Sequence, residues 1–139
     1  MKEYRHGAHT VFEIHLHLVW LTTYRRPVLP GEVALRVRDL IREVCGQHEV
    51  TIRKGQVSKD HVHLLVSIPP QVTISRLRQG LKGKTAYKLL GEFPHLRKTF
   101  WGRHLWARGY FGCSSGNVTD EVIADYITKQ SHDQDEDLK

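Results

Sequence analysis

Between Asp60 and Pro69 the chain reads His61-Val62-His63-Leu64-Leu65-Val66-Ser67-Ile68, and a second proline, Pro70, follows. An unbroken aliphatic and β-branched run of this length, stopped by two prolines, is a strand from the middle of a sheet. Side chains alternate across a strand, so Val62, Leu64 and Val66 face one side while His61 and His63 face the other. The first face requires a hydrophobic core against it. The second presents two imidazoles on a rigid support, an arrangement that can hold a divalent metal. A bare His-x-His is equally satisfied by one buried, hydrogen-bonded histidine beside a surface one, so the pair alone decides nothing.

The remaining elements are arranged around this strand. Residues 1–10 read as a loose polar arm. Val11 to Thr22 alternates as a long strand, with Phe12, Ile14, Leu16 and Leu18 on one face and Val11, Glu13, His15, His17 and Val19 on the other. It carries a second His-x-His pair, the likeliest substitute for the first. Tyr24-Arg25-Arg26-Pro27 is a basic turn, and Pro30-Gly31 precedes a helix over about 31–48 with Val33, Val37, Leu40, Ile41 and Val44 at helical spacing. Val50–Val57 is a short strand, joined by Ser58-Lys59-Asp60 to the strand at 61–68 as an antiparallel hairpin. A strongly basic helix over about 73–90 has Ile74, Leu77 and Leu81 as its apolar stripe and Arg76, Arg78, Lys82, Lys84 and Lys88 around it. Gly80 and Gly83 weaken that helix but let another backbone approach closely. Residues 91–102 read as irregular, His104–Phe111 as a strand with a bulge at Gly109, and 112–117 as a flexible connector. A last helix spans about 118–132, with Thr119 as its N-cap.

The order strand, helix, strand, strand, helix, strand predicts an α+β fold: a split βαβ, ferredoxin- or RRM-like antiparallel sheet with helices on one face. The C-terminal helix is an addition to it. One domain of 139 residues is expected, with a core over about 9–112 and an acidic tail, 133–139, that is disordered. No run approaches the roughly 18 apolar residues of a membrane span, and the N-terminus lacks the apolar segment of a secretion signal. Two cysteines form no framework, and Cys45 with His48 is half a zinc motif. These features predict a cytoplasmic protein with no membrane association. The net charge of +6, with four acidic residues concentrated after His132, leaves a basic body suited to a polyanion such as nucleic acid.

Tyr126 and Gln130 stand four apart on the last helix and share a face. A tyrosine becomes a nucleophile when a cation or metal stabilises its phenolate or the phosphate it attacks, and a glutamine can offer a metal an oxygen. Either residue alone is as compatible with simple packing. With His61-Val62-His63-Leu-Leu-Val, however, Tyr126-x-x-x-Gln130 resembles the single-tyrosine HUH transposases of the insertion-sequence 200/605 group. Further matches are His17-Leu18-Val19-Trp20, Tyr24-Arg25-Arg26-Pro27-Val28-Leu29, Asp60 before the histidines, Leu81-Lys82-Gly83 and Leu105-Trp106-x-Arg108-Gly109-Tyr110-Phe111. The resemblance runs from about residue 9 to 131.

The resemblance implies a DNA transposase that cleaves and rejoins single-stranded DNA at insertion-sequence ends through a 5′-phosphotyrosine. It implies His61, His63 and Gln130 as ligands of one Mg2+ or Mn2+, and Tyr126 as nucleophile. Energy kept in the phosphotyrosine removes any need for ATP, in keeping with the lack of a Walker motif. His17 then takes a position that is not a ligand, near or beneath the site, and His15 a structural one. The implied partners are single-stranded DNA with hairpin ends and a second copy of the chain, the tyrosine helix of one subunit completing the histidine pair of the other. Arg25, Arg26, Arg76, Arg78, Lys82, Lys84 and Arg108 are candidates for phosphate contacts. Trp106 and Tyr110 fit core packing better than base stacking. The rival readings are an HUH nuclease of the replication-initiator or relaxase type and a non-enzymatic RRM-like nucleic-acid-binding module. The central strand lacks the aromatics an RRM stacks on bases.

Overall fold

The computed structural model describes residues 6–7, 10–11, 14–29, 31–100, 104–109, 111–114, 125 and 127–128. Four strands, β1 (Ile14–Leu21), β2 (Thr51–Val57), β3 (His61–Ile68) and β4 (Phe111–Ser114), form one antiparallel sheet in the order β2-β3-β1-β4. Helix α1 (Gly31–Gln47) connects β1 to β2. From β3 to β4 run α2 (Ile74–Gln79), a π-helical turn (Gly80–Lys84), α3 (Thr85–Glu92) and α4 (Pro94–Thr99). This is the expected split βαβ topology with helices on one face.

The alternating pattern explains which face they cover. Leu16, Leu18 and Trp20 of β1 and Val62, Leu64 and Val66 of β3 are buried in one core with Val33, Val37, Leu40, Ile41 and Val44 of α1. Leu77, Leu81, Leu89 and Leu96 close the same core from the second group of helices. Thr73 caps α2, its hydroxyl accepting from the Arg76 amide at 3.2 Å. Gly80 has a packing reason: a Cβ there would lie 3.1 Å from Val44 Cγ1, so its absence lets the π turn approach α1.

Four details depart from the sequence-based expectation. His6–Gly7 and Thr10–Val11 pair as a short ladder where a loose arm was expected. Residues 94–99, expected to be irregular, are helical: Pro94 sits at the first turn, where its missing N–H costs nothing, and Leu96 is buried. His104–Gly109 is not a strand, and its one described bridge is Trp106 to Thr22. The segment meets the end of β1, the Ala107 amide donating to the Leu21 carbonyl at 2.7 Å and the Thr23 amide to the Leu105 carbonyl at 2.9 Å, while Lys82 Nζ donates to the carbonyls of Ala107 and Gly109, both at 2.9 Å, and Gly109 has φ +76°, outside the extended range. Finally, Phe111–Ser114 pairs with β1 from Val19↔Phe111 to Leu16↔Ser114, so the first residues of the expected connector at 112–117 are sheet. Among the described residues no helix is long and apolar enough to cross a membrane.

Candidate active site

Residues opposite one another on adjacent strands share a face. In the β1–β3 ladder Leu21 pairs with His61 and Val19 with His63, so the two histidines lie beside the second, smaller hydrophobic cluster: Val19, Leu21, Ala107 and Ile127. This cluster is on the sheet face away from the main core. Its last member belongs to the final helix, in which Asp125, Ile127 and Thr128 are helical. Tyr126 and Gln130 lie outside the described residues, but the helical residues on both sides of Tyr126 include one buried against the cross-strand partners of both histidines. The apolar spacing that buries Ile127 thus brings this helix to the histidine face.

Each histidine has a partner through one ring nitrogen. His17 Nδ1 is 3.0 Å from His63 Nε2, with the rings tilted by 30° and their centroids 5.2 Å apart. His17, given no ligand role by the sequence, therefore does bond at the site. His61 Nδ1 donates to Asp60 Oδ1 at 2.8 Å, and Arg25 Nε donates to Asp60 Oδ2 at 3.0 Å. Burial pushes the Asp60 carboxyl up, but the hydrogen bonds from His61 and Arg25 and the charges beside it win, holding it below its ordinary range. The chain around Asp60 is pinned as well: the Thr22 amide donates to the Asp60 carbonyl at 2.9 Å, and the Leu29 amide to that of Lys59, also at 2.9 Å.

Three of the candidate basic residues are held by groups identified in the fold. Arg25 is paired with Asp60, Lys84 with Glu43 at 2.7 Å, and Lys82 with the two loop carbonyls, so these three have structural engagements. Arg26, Arg76 and Arg108 are exposed and Arg78 half-buried. Trp106 is buried in the core, where its indole N–H donates to Thr85 Oγ1 at 2.8 Å. A cleft of about 270 Å3 between α1 and β2, lined in part by Arg38, Arg42 and Gln56, includes none of the predicted site residues.

No group of three or more His, Cys, Asp or Glu able to hold a metal occurs among the described residues. Asp60 is the nearest carboxylate in sequence to the histidines, and both its oxygens are already used.

Residues 10–130 match the family described as "Transposase IS200 like". The chain belongs to this family. It is similar to the ISDra2 transposase TnpA of Deinococcus radiodurans, 35% identical over 133 residues, covering 96% of this chain and 94% of that one. The IS200 transposase of Salmonella typhimurium is 34% identical over 123 residues, 88% of this chain and 80% of the relative. A crystal structure of a putative transposase from Deinococcus radiodurans superimposes with a TM-score of 0.84 at 34% identity, over 91% of this chain and 97% of that one. A REP-associated tyrosine transposase bound to a REP hairpin shares the fold, with a TM-score of 0.59 at 17% identity over 89% and 68% of the two chains.

Membership of the IS200-like transposases makes this a DNA-cleaving enzyme of DNA transposition and sets the RRM-like binding module aside. What sequence reasoning missed is the role of Asp60 and the pairing of Arg25. The available signal was an acid directly before the first histidine. In sequence Asp60 belongs to a turn and Arg25 to a basic run, and a pairing between residues 35 apart has no linear signature.

Proposed function

We propose that this transposase cleaves and rejoins single-stranded DNA at the ends of its insertion sequence, with Tyr126 as nucleophile and His61, His63 and Gln130 holding one Mg2+ or Mn2+. The observation that carries this reading is the burial of Ile127, next to Tyr126, against the strand partners of both histidines. The donor set fits such a metal. A carboxylate can only accept, so neutral His61 carries its proton on Nδ1 and keeps the Nε2 lone pair for a ligand bond. Neutral imidazoles and an amide leave a bound cation its full charge. When bound, the metal supplies Lewis-acid stabilisation of the negative charge that develops on the scissile phosphate.

The phenol of Tyr126 gives up its proton and its oxygen bonds to phosphorus. The phosphorus–O3′ bond breaks, and the departing O3′ takes up a proton, leaving a free 3′-hydroxyl and a 5′-phosphotyrosine. Attack by another 3′-hydroxyl reverses these steps, restores the phenol and joins the strands. No net phosphodiester bond is lost, so no nucleotide cofactor is consumed.

The substrate we propose is DNA folded into hairpins near the element ends, as in the hairpin-bound relative of the same fold. Exposed Arg26 and Arg76 are well placed for phosphate contacts, and Arg78 and Arg108 are further candidates. We also propose a homodimer working in the cytoplasm. Oligonucleotide cleavage tests the reading. Wild type should form a covalent adduct on Tyr126 in the presence of Mg2+ or Mn2+. Tyr126→Phe should bind DNA and form none, His61→Ala and His63→Ala should lose metal-dependent cleavage, and His15→Ala should cleave nearly normally. An adduct on Tyr24, Tyr87 or Tyr110 would refute the assignment.

A further inference from the structure

We infer that Asp60 and Arg25 are positioning residues for His61, forming a relay that fixes the imidazole in the tautomer able to bind a metal. The inference rests on the metal reading above and adds two residues to it. An unconstrained neutral imidazole populates both tautomers, and only the one protonated on Nδ1 offers Nε2 as a ligand atom. Asp60 Oδ1, 2.8 Å from His61 Nδ1, selects that form. Arg25 Nε holds the other oxygen at 3.0 Å, which fixes the carboxylate plane and also keeps Asp60 from becoming a ligand itself. A metal-binding histidine whose second nitrogen is bonded to a carboxylate is oriented and made more basic by it.

The surrounding structure holds this relay firmly. Asp60 is 5% exposed, and its backbone carbonyl takes the Thr22 amide at 2.9 Å and lies 3.2 Å from the Thr22 hydroxyl. The turn that delivers Arg25 is unusual: Tyr24 and Arg25 have φ of +56° and +51°, a left-handed conformation that non-glycine residues seldom adopt. Such backbone persists where neighbouring contacts over-determine it, as Thr22 does here by bonding the Arg26 carbonyl at 2.8 Å from the other side of the turn. At His63 the Nε2 atom meets an imidazole, His17 Nδ1, at 3.0 Å.

Two readouts that do not depend on cleavage test it. In the metal-free protein, two-bond 1H–15N spectra of 15N-histidine-labelled chain at mildly alkaline pH should show His61 protonated on Nδ1. Asp60→Ala should shift His61 to a mixture of tautomers and leave the His15 pattern unchanged. Mn2+ affinity, read from the EPR signal of free Mn2+, should fall roughly 10- to 100-fold in Asp60→Ala. It should fall less in Asp60→Asn, whose amide oxygen still accepts, and in Arg25→Gln, whose partly exposed side chain can be shortened without emptying the core. If Asp60→Ala does not fold, these two milder variants carry the test by themselves. Wild-type His61 protonated on Nε2, or Mn2+ binding lost in His61→Ala yet unchanged in every Asp60 and Arg25 variant, would overturn the relay alone. Unchanged Mn2+ binding in His61→Ala would overturn the metal reading and the relay with it.

Discussion

A histidine on a strand is chemically ambiguous until its second nitrogen has a partner. His61 and His63 look equivalent in the alternating pattern, yet one bonds a carboxylate and the other an imidazole. Their electronic environments therefore differ, and the two should not be interchangeable in metal binding. Cys45 illustrates the opposite situation, a reactive side chain made inert by its place. It is buried in α1 against the main core, and burial pushes its thiol up to about 12. The thiolate is the nucleophile, so Cys45 should resist alkylation in the folded protein and react once urea unfolds the chain. Iodoacetamide labelling of a Cys113→Ser background, followed by mass spectrometry, measures this. Rapid labelling in buffer would contradict the placement. Half a zinc motif at Cys45 and His48 thus has no thiolate to offer.

The basic second helix is not one regular element. Its interruption at Gly80–Lys84 is a π turn, a form that recurs at functional sites. From this turn Lys82 reaches the carbonyls of Ala107 and Gly109, and Ala107 belongs to the cluster that seats Ile127. Lys82 therefore ties the helix layer to the loop beside the histidine face. Lys82→Met should cost about 1.5–3 kcal/mol, the range for bonds made by a charged donor, and should speed amide exchange over residues 105–109. Burial, with Arg78 nearby, pushes the Lys82 ammonium down to about 8 from its ordinary 10.5. Between those values the unfolded chain keeps a proton that the folded chain has released, so this residue's contribution to stability rises with pH. The advantage of wild type over Lys82→Met in urea unfolding should consequently grow from a pH of about 8 to about 10.5. A constant or shrinking difference would mean that Lys82 is not buried in this way.

At the scale of the molecule the sheet divides two tasks. One face packs three groups of apolar side chains into the core, and the other carries histidines with a small apolar seat for the last helix. In this chain Ile127 occupies its own seat. A swapped dimer would use the same Val19–Leu21–Ala107 surface, because exchange of an element between copies reproduces the contact made within one. Mixing His61→Ala with Tyr126→Phe distinguishes the two arrangements. With a shared site, one position regains intact histidines and an intact tyrosine, and cleavage should return to at most about half of the wild-type level per dimer. With the site built in one chain, every site keeps a lesion and no activity returns, provided that subunit exchange is shown separately.

The strand at His61–Ile68, the alternation at Ile14–Leu21 and the apolar stripe of α1 were legible in the sequence because each is a local periodicity that burial enforces. The same pattern put both histidines on one face, and the split βαβ order followed from the succession of elements. Family resemblance supplied the expectation that Tyr126 joins them. Other features depended on contacts between distant residues. A carboxylate 35 residues from its arginine, and a histidine 46 from the one it bonds, have no linear signature. Residues 104–109 read as a strand because Leu105-Trp106-Ala107 has the composition of one. Only the folded chain shows that their described pairing with the end of β1 is a single bridge, Trp106 to Thr22, and that Lys82 takes the carbonyls of Ala107 and Gly109.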